Sequence, residues 1–146
     1  MSFGDFLRLF DFYFKKYPSS LFQIRSLMGI LMSVKRIRNA SAHNTPYLFD
    51  LSDLKLKKAS RYLEEYAKKL GIGPQFYLCP KVHDILAMFW AHQFFIKGER
   101  TLKKRDTAFN ELTSISNETF SYLSKENDII YFFNVIKKAI DSYNKE

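Results

Sequence analysis

The sequence predicts an all-α protein that folds as a bundle of five to six helices. Only 5 glycines and 4 prolines occur in 146 residues, too few for a protein built from strands and tight turns. Between these breaks, apolar residues recur at the three- and four-residue spacing of a helix face. Hydrophobic residues make up 47% of the chain and aromatic residues 17%, so residues 1–146 should form one domain with an aromatic-rich core.

The first two helices are delimited by prolines. The first is expected to begin at Ser2, which can cap a helix, and to end before Pro18. It is apolar on nearly every side, which favours burial on several sides or packing against a partner chain. The second should begin after residues 19–20 and end before Pro46, because the residue that precedes a proline avoids helical conformation.

The remaining helices are expected over residues 50–70, 81–96 and 99–123 and from Asn127 onward. The loop between the third and the fourth contains two glycines and two prolines, so it is the best internal hinge. Neither half of the chain would hold a core well alone, which argues against a domain boundary there. The fourth helix is expected to turn five residues inward: Val82, Ile85, Leu86, Phe89 and Phe94.

The charge of the chain restricts the class of its partners. There are 23 Lys and Arg against 15 Asp and Glu, a formal net charge of +8. One interpretation is an ordinary solvated surface. The other is a polyanionic partner, for which nucleic acid is the first candidate and an anionic membrane the second. The single cysteine, Cys79, excludes an internal disulfide, suits a reducing cytoplasm and is best explained as a buried structural thiol. Neither a signal peptide nor a membrane-spanning apolar run is visible, so the protein is predicted to be cytoplasmic, with no membrane partner.

The end of the second predicted helix carries the sequence Arg38-Asn39-Ala40-Ser41-Ala42-His43. Arg38 falls on the apolar stripe that Val34 and Leu31 form, one and two turns before it. An arginine directed toward a core is costly unless it is paired or faces an anion, which favours a functional site. The alternative is that Arg38 and His43 merely satisfy the last carbonyls of a helix.

These six residues match the R-N-x-x-x-H signature of the HEPN superfamily. The longer segment from Ser33 to Asn44 resembles that of bacterial abortive-infection (Abi-like) proteins, and so does the opening stretch from Ser2 to Phe6. The resemblance covers about the first third of the chain. It implies a HEPN-like helical fold, a metal-independent endoribonuclease, and a toxin or abortive-infection effector against phage. Abi-like proteins usually carry further helices upstream, so the chain is expected to be a short member or the C-terminal part of a longer protein.

The resemblance also implies roles for individual residues. Arg38 would hold the phosphate, because a guanidinium stays charged and donates in a planar fork. His43 would be the acid or base, since an imidazole titrates near operating pH. Asn39 would orient the ring or bond the phosphate. The residues expected to bind RNA are basic ones near the signature and in the fifth helix: Lys35, Arg36, Lys103, Lys104 and Arg105.

No cofactor and no metal are predicted, because His83 and His92 lie on opposite sides of one helix without further ligands at metal spacing. The expected partners are RNA and a second copy of the chain, since the HEPN proteins that the chain resembles build a shared cleft from two signatures. An antitoxin protein or a guide RNA is a further candidate partner. Two other functions remain open. One is a catalytically silent helical module that binds RNA or a protein, and the other is a structural dimerisation domain.

Overall fold

The computed structural model of the chain describes residues 3–17, 21–44, 56–122 and 127–143. Within these ranges the regular structure is entirely helical, which confirms the all-α prediction. The helices are α1 (Phe3–Lys16), α2 (Leu21–Ala42), α3 (Arg61–Lys69), α4 (Pro74–Tyr77), α5 (Pro80–Phe95), α6 (Glu99–Tyr122) and α7 (Asn127–Tyr143). The described residues thus hold seven helices rather than five to six, because the short α4 lies in the predicted hinge. No helix in this part of the chain combines the length and apolar character needed to cross a bilayer.

Helix α5 forms the centre of the bundle. It packs against α2, α3, α4 and α7, and half of its sixteen residues are buried. Pro80 occupies its first turn, where a missing backbone N–H costs nothing. Phe89 is 1% exposed and packs in a cluster that α3, α5 and α7 build together. Cys79, predicted to be a buried structural thiol, is half-buried against the same cluster.

Helices α2 and α5 run antiparallel. Ile30 of α2 packs with Ala87 and Ala91 of α5, whereas Arg36, further along α2, bonds to the earlier residue Asp84. The two alanines are small enough to let the backbones approach, and Ile30 is 0% exposed. The C-terminal end of α2, which carries the signature, therefore lies beside the N-terminal end of α5.

The predicted start of the third helix is wrong. Residues 56–60 are not helical, and α3 begins at Arg61 after Ser60 in an extended conformation. The reason is tertiary: the backbone N–H of Leu56 donates to the carbonyl of Leu78 at 2.8 Å, which holds this stretch against the α4–α5 connection. Ala59 is buried there without being helical. The expected positions 50–55 lie outside the described residues.

One predicted core position in α5 is also wrong. Phe94 is 57% exposed, although Val82, Ile85, Leu86 and Phe89 are buried as expected. Phe94 follows Phe89 by five residues, or about 140° around the helix once a full turn is subtracted, so it leaves the buried face. The bounds of α5, α6 and α7 agree with the prediction to within one residue.

Helix α1 exposes most of its apolar surface. The structure describes every residue of α1, and among them only Leu7 is buried. Leu9, Phe12 and Tyr13 are each more than half exposed, at 57%, 64% and 54%. Its contacts within the described chain are with α2. The bundle therefore leaves a broad aromatic surface on α1 open.

Candidate functional site

The R-N-x-x-x-H signature occupies the last turn and a half of α2. The helix ends at Ala42, and the backbone N–H of His43 still donates to the carbonyl of Asn39 at 3.0 Å. Asn44 then adopts a left-handed conformation with φ 49°, which asparagine tolerates better than most residues. This turn stops the helix directly after His43 and keeps His43 on the final turn.

The signature side chains face solvent. Arg38 and His43 are exposed and Asn39 is half-buried. A terminal nitrogen of Arg38 donates to Oδ1 of Asn39 at 3.2 Å. Within the described chain, neither Arg38 nor His43 uses its side chain to bond a helix carbonyl, so this part of the structure does not support the capping alternative.

The expectation that Arg38 points toward the core is wrong. Leu31 is buried and Val34 half-buried, but Arg38, one turn further, is exposed. The apolar stripe therefore ends before Arg38, whose side chain remains in solvent. Arg38 is therefore free to meet an anion from solvent.

The arginine that pairs with a buried side chain is Arg36, not Arg38. Its Nε and a terminal nitrogen donate to the two carboxylate oxygens of Asp84, at 2.8 and 2.5 Å. The same terminal nitrogen donates to Oγ of Ser33 at 2.8 Å, and that hydroxyl lies 3.3 Å from Nδ1 of His83. Ser33, His83 and Asp84 are all buried, so this network joins α2 to α5 one to two turns before the signature.

The protonation of Asp84 follows from these contacts. Burial raises the pKa of the carboxyl, but hydrogen bonds from His83, Arg36 and Ser33 and the charge of Arg36 lower it to about 2. The direct separation between Nδ1 of His83 and the carboxylate is 3.8 Å, long for a hydrogen bond, so Arg36 is the firmer partner by geometry. Asp84 is therefore a carboxylate at neutral pH.

This network was not predicted from the sequence, although one signal pointed to it. Asp84 is the only acidic residue in the sixteen residues of α5, which are otherwise mostly apolar. A lone carboxylate on a helix buried on most sides must find a cation. The sequence could not show that the cation comes from Arg36. Its side chain is held in an internal ion pair and stays 53% exposed, and its predicted contact with RNA stays a prediction.

The α6 residues predicted to bind RNA do not gather around the signature, whereas Lys35 lies about one turn before Arg38 on α2. Lys35 borders a groove of about 320 Å³ between α1 and α2, together with Asp5 and Asp11. Lys103 and Lys104 are exposed on α6, which shares no close backbone contact with α2 in the described chain.

Two of the α6 cations already have acidic partners. Nζ of Lys103 lies 3.0 Å from Glu99. Arg105 donates to Asp106 at 2.6 Å and lies over the ring of Phe109. These contacts reduce the positive charge that the sequence alone assigned to this face. Among the described residues, Lys104 makes no ion pair.

The end of α2 can perform two chemical tasks. A guanidinium that a neighbouring amide holds in place can bind a phosphate, and an exposed imidazole one turn later can take up or release a proton. Among the described residues, no three His, Cys, Asp or Glu side chains cluster closely enough to hold a metal ion. Comparisons of the chain with family models, curated proteins and solved structures found no match, so any functional assignment rests on the signature and its geometry.

Proposed function

We propose that this chain is a metal-independent endoribonuclease of the HEPN type that acts as a toxin or abortive-infection effector against phage. The observation that carries the proposal is the position of Arg38, Asn39 and His43 on one helix end, with Arg38 and His43 exposed and Asn39 half-buried. Their side chains make no capping bonds within the described chain, which leaves them available to a substrate.

The proposed reaction is transesterification by the ribose 2′-hydroxyl. A base removes the 2′-OH proton, the oxygen attacks the adjacent phosphorus, and the bond to the 5′-oxygen breaks as that oxygen accepts a proton. The products are a 2′,3′-cyclic phosphate and a 5′-hydroxyl. His43 supplies proton transfer, and Arg38 stabilises the charge on the crowded phosphate. Asn39 positions Arg38 through the 3.2 Å hydrogen bond between them.

The proposal includes a second copy of the chain. One His43 cannot easily serve as base and acid on opposite sides of a single phosphate, and the chain holds one signature. Two signatures that face each other across a two-fold axis would supply both groups.

The first prediction tests the chemistry. Wild-type protein should cleave unpaired RNA in EDTA and leave the cyclic phosphate, and His43→Ala should reduce the rate by about 10²–10⁴-fold, the usual contribution of a positioned acid–base group. Ser41→Ala is the matched control, because Ser41 is exposed in the same turn and has no assigned role. An unchanged rate in His43→Ala, or activity that EDTA abolishes, would overturn the mechanism.

A catalytically silent module is the second candidate. It is favoured by the open aromatic surface of α1, which suits protein binding, and by the ion pairs that occupy Lys103 and Arg105. The same assay separates the two candidates, since a silent module would bind RNA or protein with equal affinity before and after His43→Ala and would cleave nothing.

A further inference from the structure

A groove of about 550 Å³ lies on the side of the bundle where α3 faces the C-terminal half of α5. Three aromatic rings run through it in series. The rings of Tyr62 and Trp90 have centroids 5.5 Å apart, and those of Trp90 and Phe94 are 5.0 Å apart and within 9° of parallel. Tyr62 and Trp90 pack on a buried cluster, so they form a fixed base beneath Phe94.

Phe94 is the exposed end of this parallel stack, and the ring of Phe95 contacts it nearly at a right angle, with centroids 5.0 Å apart. It leaves 57% of its surface to solvent although its ring is already aligned on Trp90. An exposed phenylalanine contributes little to stability, but an ordered ring with a free surface offers a planar partner at low entropic cost. The groove therefore presents a stacking platform.

The charge around the platform is positive. Lys69, at the end of α3, and Lys97, two residues past α5, both line the groove and are exposed. They belong to two basic stretches that are far apart in the sequence, and the fold brings them to one groove. Nζ of Lys97 donates to the carbonyl of Gln93 at 2.9 Å, which holds the ammonium at the rim. The one acid in the lining, Glu65, accepts from Arg61 at 2.8 Å, so its charge is offset.

We propose that this groove binds an unpaired segment of RNA, with one base stacked on Phe94 and flanking phosphates on Lys69 and Lys97. Aromatic platforms beside cations are how proteins bind single strands without reading their sequence. This inference rests on the proposed function for the identity of RNA as the substrate. Ten residues of α5 separate Phe94 from Asp84, and seven of α2 separate Arg36 from His43, so the groove lies roughly 25 Å along the helices from the signature. It is a distal contact that adds affinity and takes no part in the cleavage step.

The test uses His43→Ala protein, so that binding is measured without cleavage. The chain contains one tryptophan, Trp90, whose fluorescence therefore reports on this groove alone. An unpaired oligoribonucleotide of about a dozen nucleotides, within the usual site size, should quench Trp90. Adding Phe94→Ala to the His43→Ala protein should weaken binding by about 5-fold to 150-fold, the range that alanine substitution at a stacking aromatic gives, whereas Phe94→Tyr should retain affinity.

Two further variants complete the design. Lys69→Ala and Lys97→Ala should each lower the salt dependence of the binding constant by about 0.7 in slope, as expected when one phosphate contact is lost. Ile115→Ala is the control for Phe94→Ala, because Ile115 is 56% exposed on α6 and lies outside the groove. Its affinity for RNA should not change.

Several outcomes would overturn the inference. One is an affinity for unpaired RNA that Phe94→Ala leaves unchanged. Another is Trp90 fluorescence that does not change when RNA binds. A third is binding of a duplex as tightly as of an unpaired strand. Saturation by a mononucleotide at the same affinity would assign the groove to a free nucleotide. These results are independent of the first prediction, since a wild-type chain that fails to cleave RNA can still quench Trp90 on binding it.

Discussion

Arg36 and Arg38 are two residues apart on α2, about 200° around the helix axis, and so they face opposite environments. Arg36 bonds the carboxylate of Asp84, which is 3% exposed, whereas Arg38 is exposed and bonds only the neighbouring amide in the described chain. A structural arginine is needed because Asp84 is buried and charged. A functional arginine must instead keep its donors available. The two roles are divided between residues that the sequence alone presents as one basic run.

The second prediction follows from this division. Arg36→Ala should lower the free energy of unfolding by about 1–3 kcal/mol, because it removes the main partner of a buried carboxylate. Arg38→Ala should change it by less than about 0.5 kcal/mol, as surface substitutions do, while cleavage is lost. Urea denaturation of both variants measures the difference. Equal stability of the two variants would mean that the ion pair contributes nothing net.

The third prediction concerns pH. The pKa of Asp84 is lowered in the folded state to about 2 from an ordinary value of 3.8. The stabilisation from its ionised form is therefore complete above pH 3.8 and is lost as the pH falls through the folded value near 2. Its loss amounts to about 2 kcal/mol, from the free-energy equivalent of the shift.

The measurement for this prediction is urea denaturation at a series of pH values between 5 and about 2. Asp84→Asn is the matched variant, since it keeps the shape of the side chain and removes the titration. Wild-type stability should fall more steeply than that of Asp84→Asn across this range. Parallel profiles would show that other carboxylates carry the acid sensitivity.

At the scale of the element, α5 shows how one helix can serve both the core and a surface site. Phe89 is buried in the main cluster, whereas Phe94 stands exposed on Trp90 at the other side of the same helix. The helix is long enough to contact four others and still present its last turn to solvent. The packing of α5 therefore fixes the position of the Phe94 ring and still leaves much of its surface accessible to a ligand.

The fourth prediction compares these two phenylalanines. Phe89→Ala should lower the free energy of unfolding by about 3–5 kcal/mol, the usual cost of emptying a packed aromatic site. Phe94→Ala should cost less than about 1 kcal/mol, because most of its surface is already in water. Thermal or urea unfolding of both variants provides the comparison. A large loss in Phe94→Ala would show that the stack on Trp90 is part of the core.

The sequence predicted some helix boundaries better than others. A boundary could be predicted where neighbouring residues set it, and could not where a residue distant in the chain sets it. The starts of α5, α6 and α7 follow from Pro80, Gly98 and Asn127, which lie at or directly before the first residue of each helix. The start of α3 depends on a hydrogen bond between Leu56 and Leu78, and no local pattern encodes it. The candidate site divides in the same way. The signature is contiguous and was visible, but the Arg36–Asp84 pair and the groove at Phe94 join residues far apart in the chain.

At the scale of the whole molecule, the positive charge is spread unevenly. The net charge of +8 is partly offset by local pairs, among them Lys68 with Glu64 and Arg61 with Glu65 on α3. Cations with no ion pair in the described chain remain at Arg38, at Lys69 and Lys97 around the groove, and at Lys104. An extended polyanion could contact several of these positions at once, which a compact anion could not.

The fifth prediction is that the working protein is a homodimer. On the open face of α1, Leu9, Phe12 and Tyr13 are each more than half exposed, and a two-fold contact would cover this face on both copies. Repulsion between the two basic surfaces opposes the association, so bound RNA should tighten it. Light scattering across a concentration series, with and without RNA, measures this. Phe12→Glu should favour the monomer, whereas Ile115→Glu, which places the same charge on α6, should not.

A mixing experiment tests whether the dimer shares its site. His43→Ala chains mixed in increasing amounts with wild-type protein should suppress the activity below the simple dilution expected for independent sites, because a mixed dimer holds one His43 and lacks the second acid–base group. Ser41→Ala chains added in the same amounts are the control and should leave the activity intact, since a dimer with Ser41→Ala keeps both His43 side chains. A protein that remains monomeric at roughly tens of micromolar with RNA present, while cleavage proceeds, would show that each chain carries a complete site. In that case a second acid–base group must come from the same chain, and His83, buried beside Asp84, could not supply it without leaving its place in the α2–α5 network.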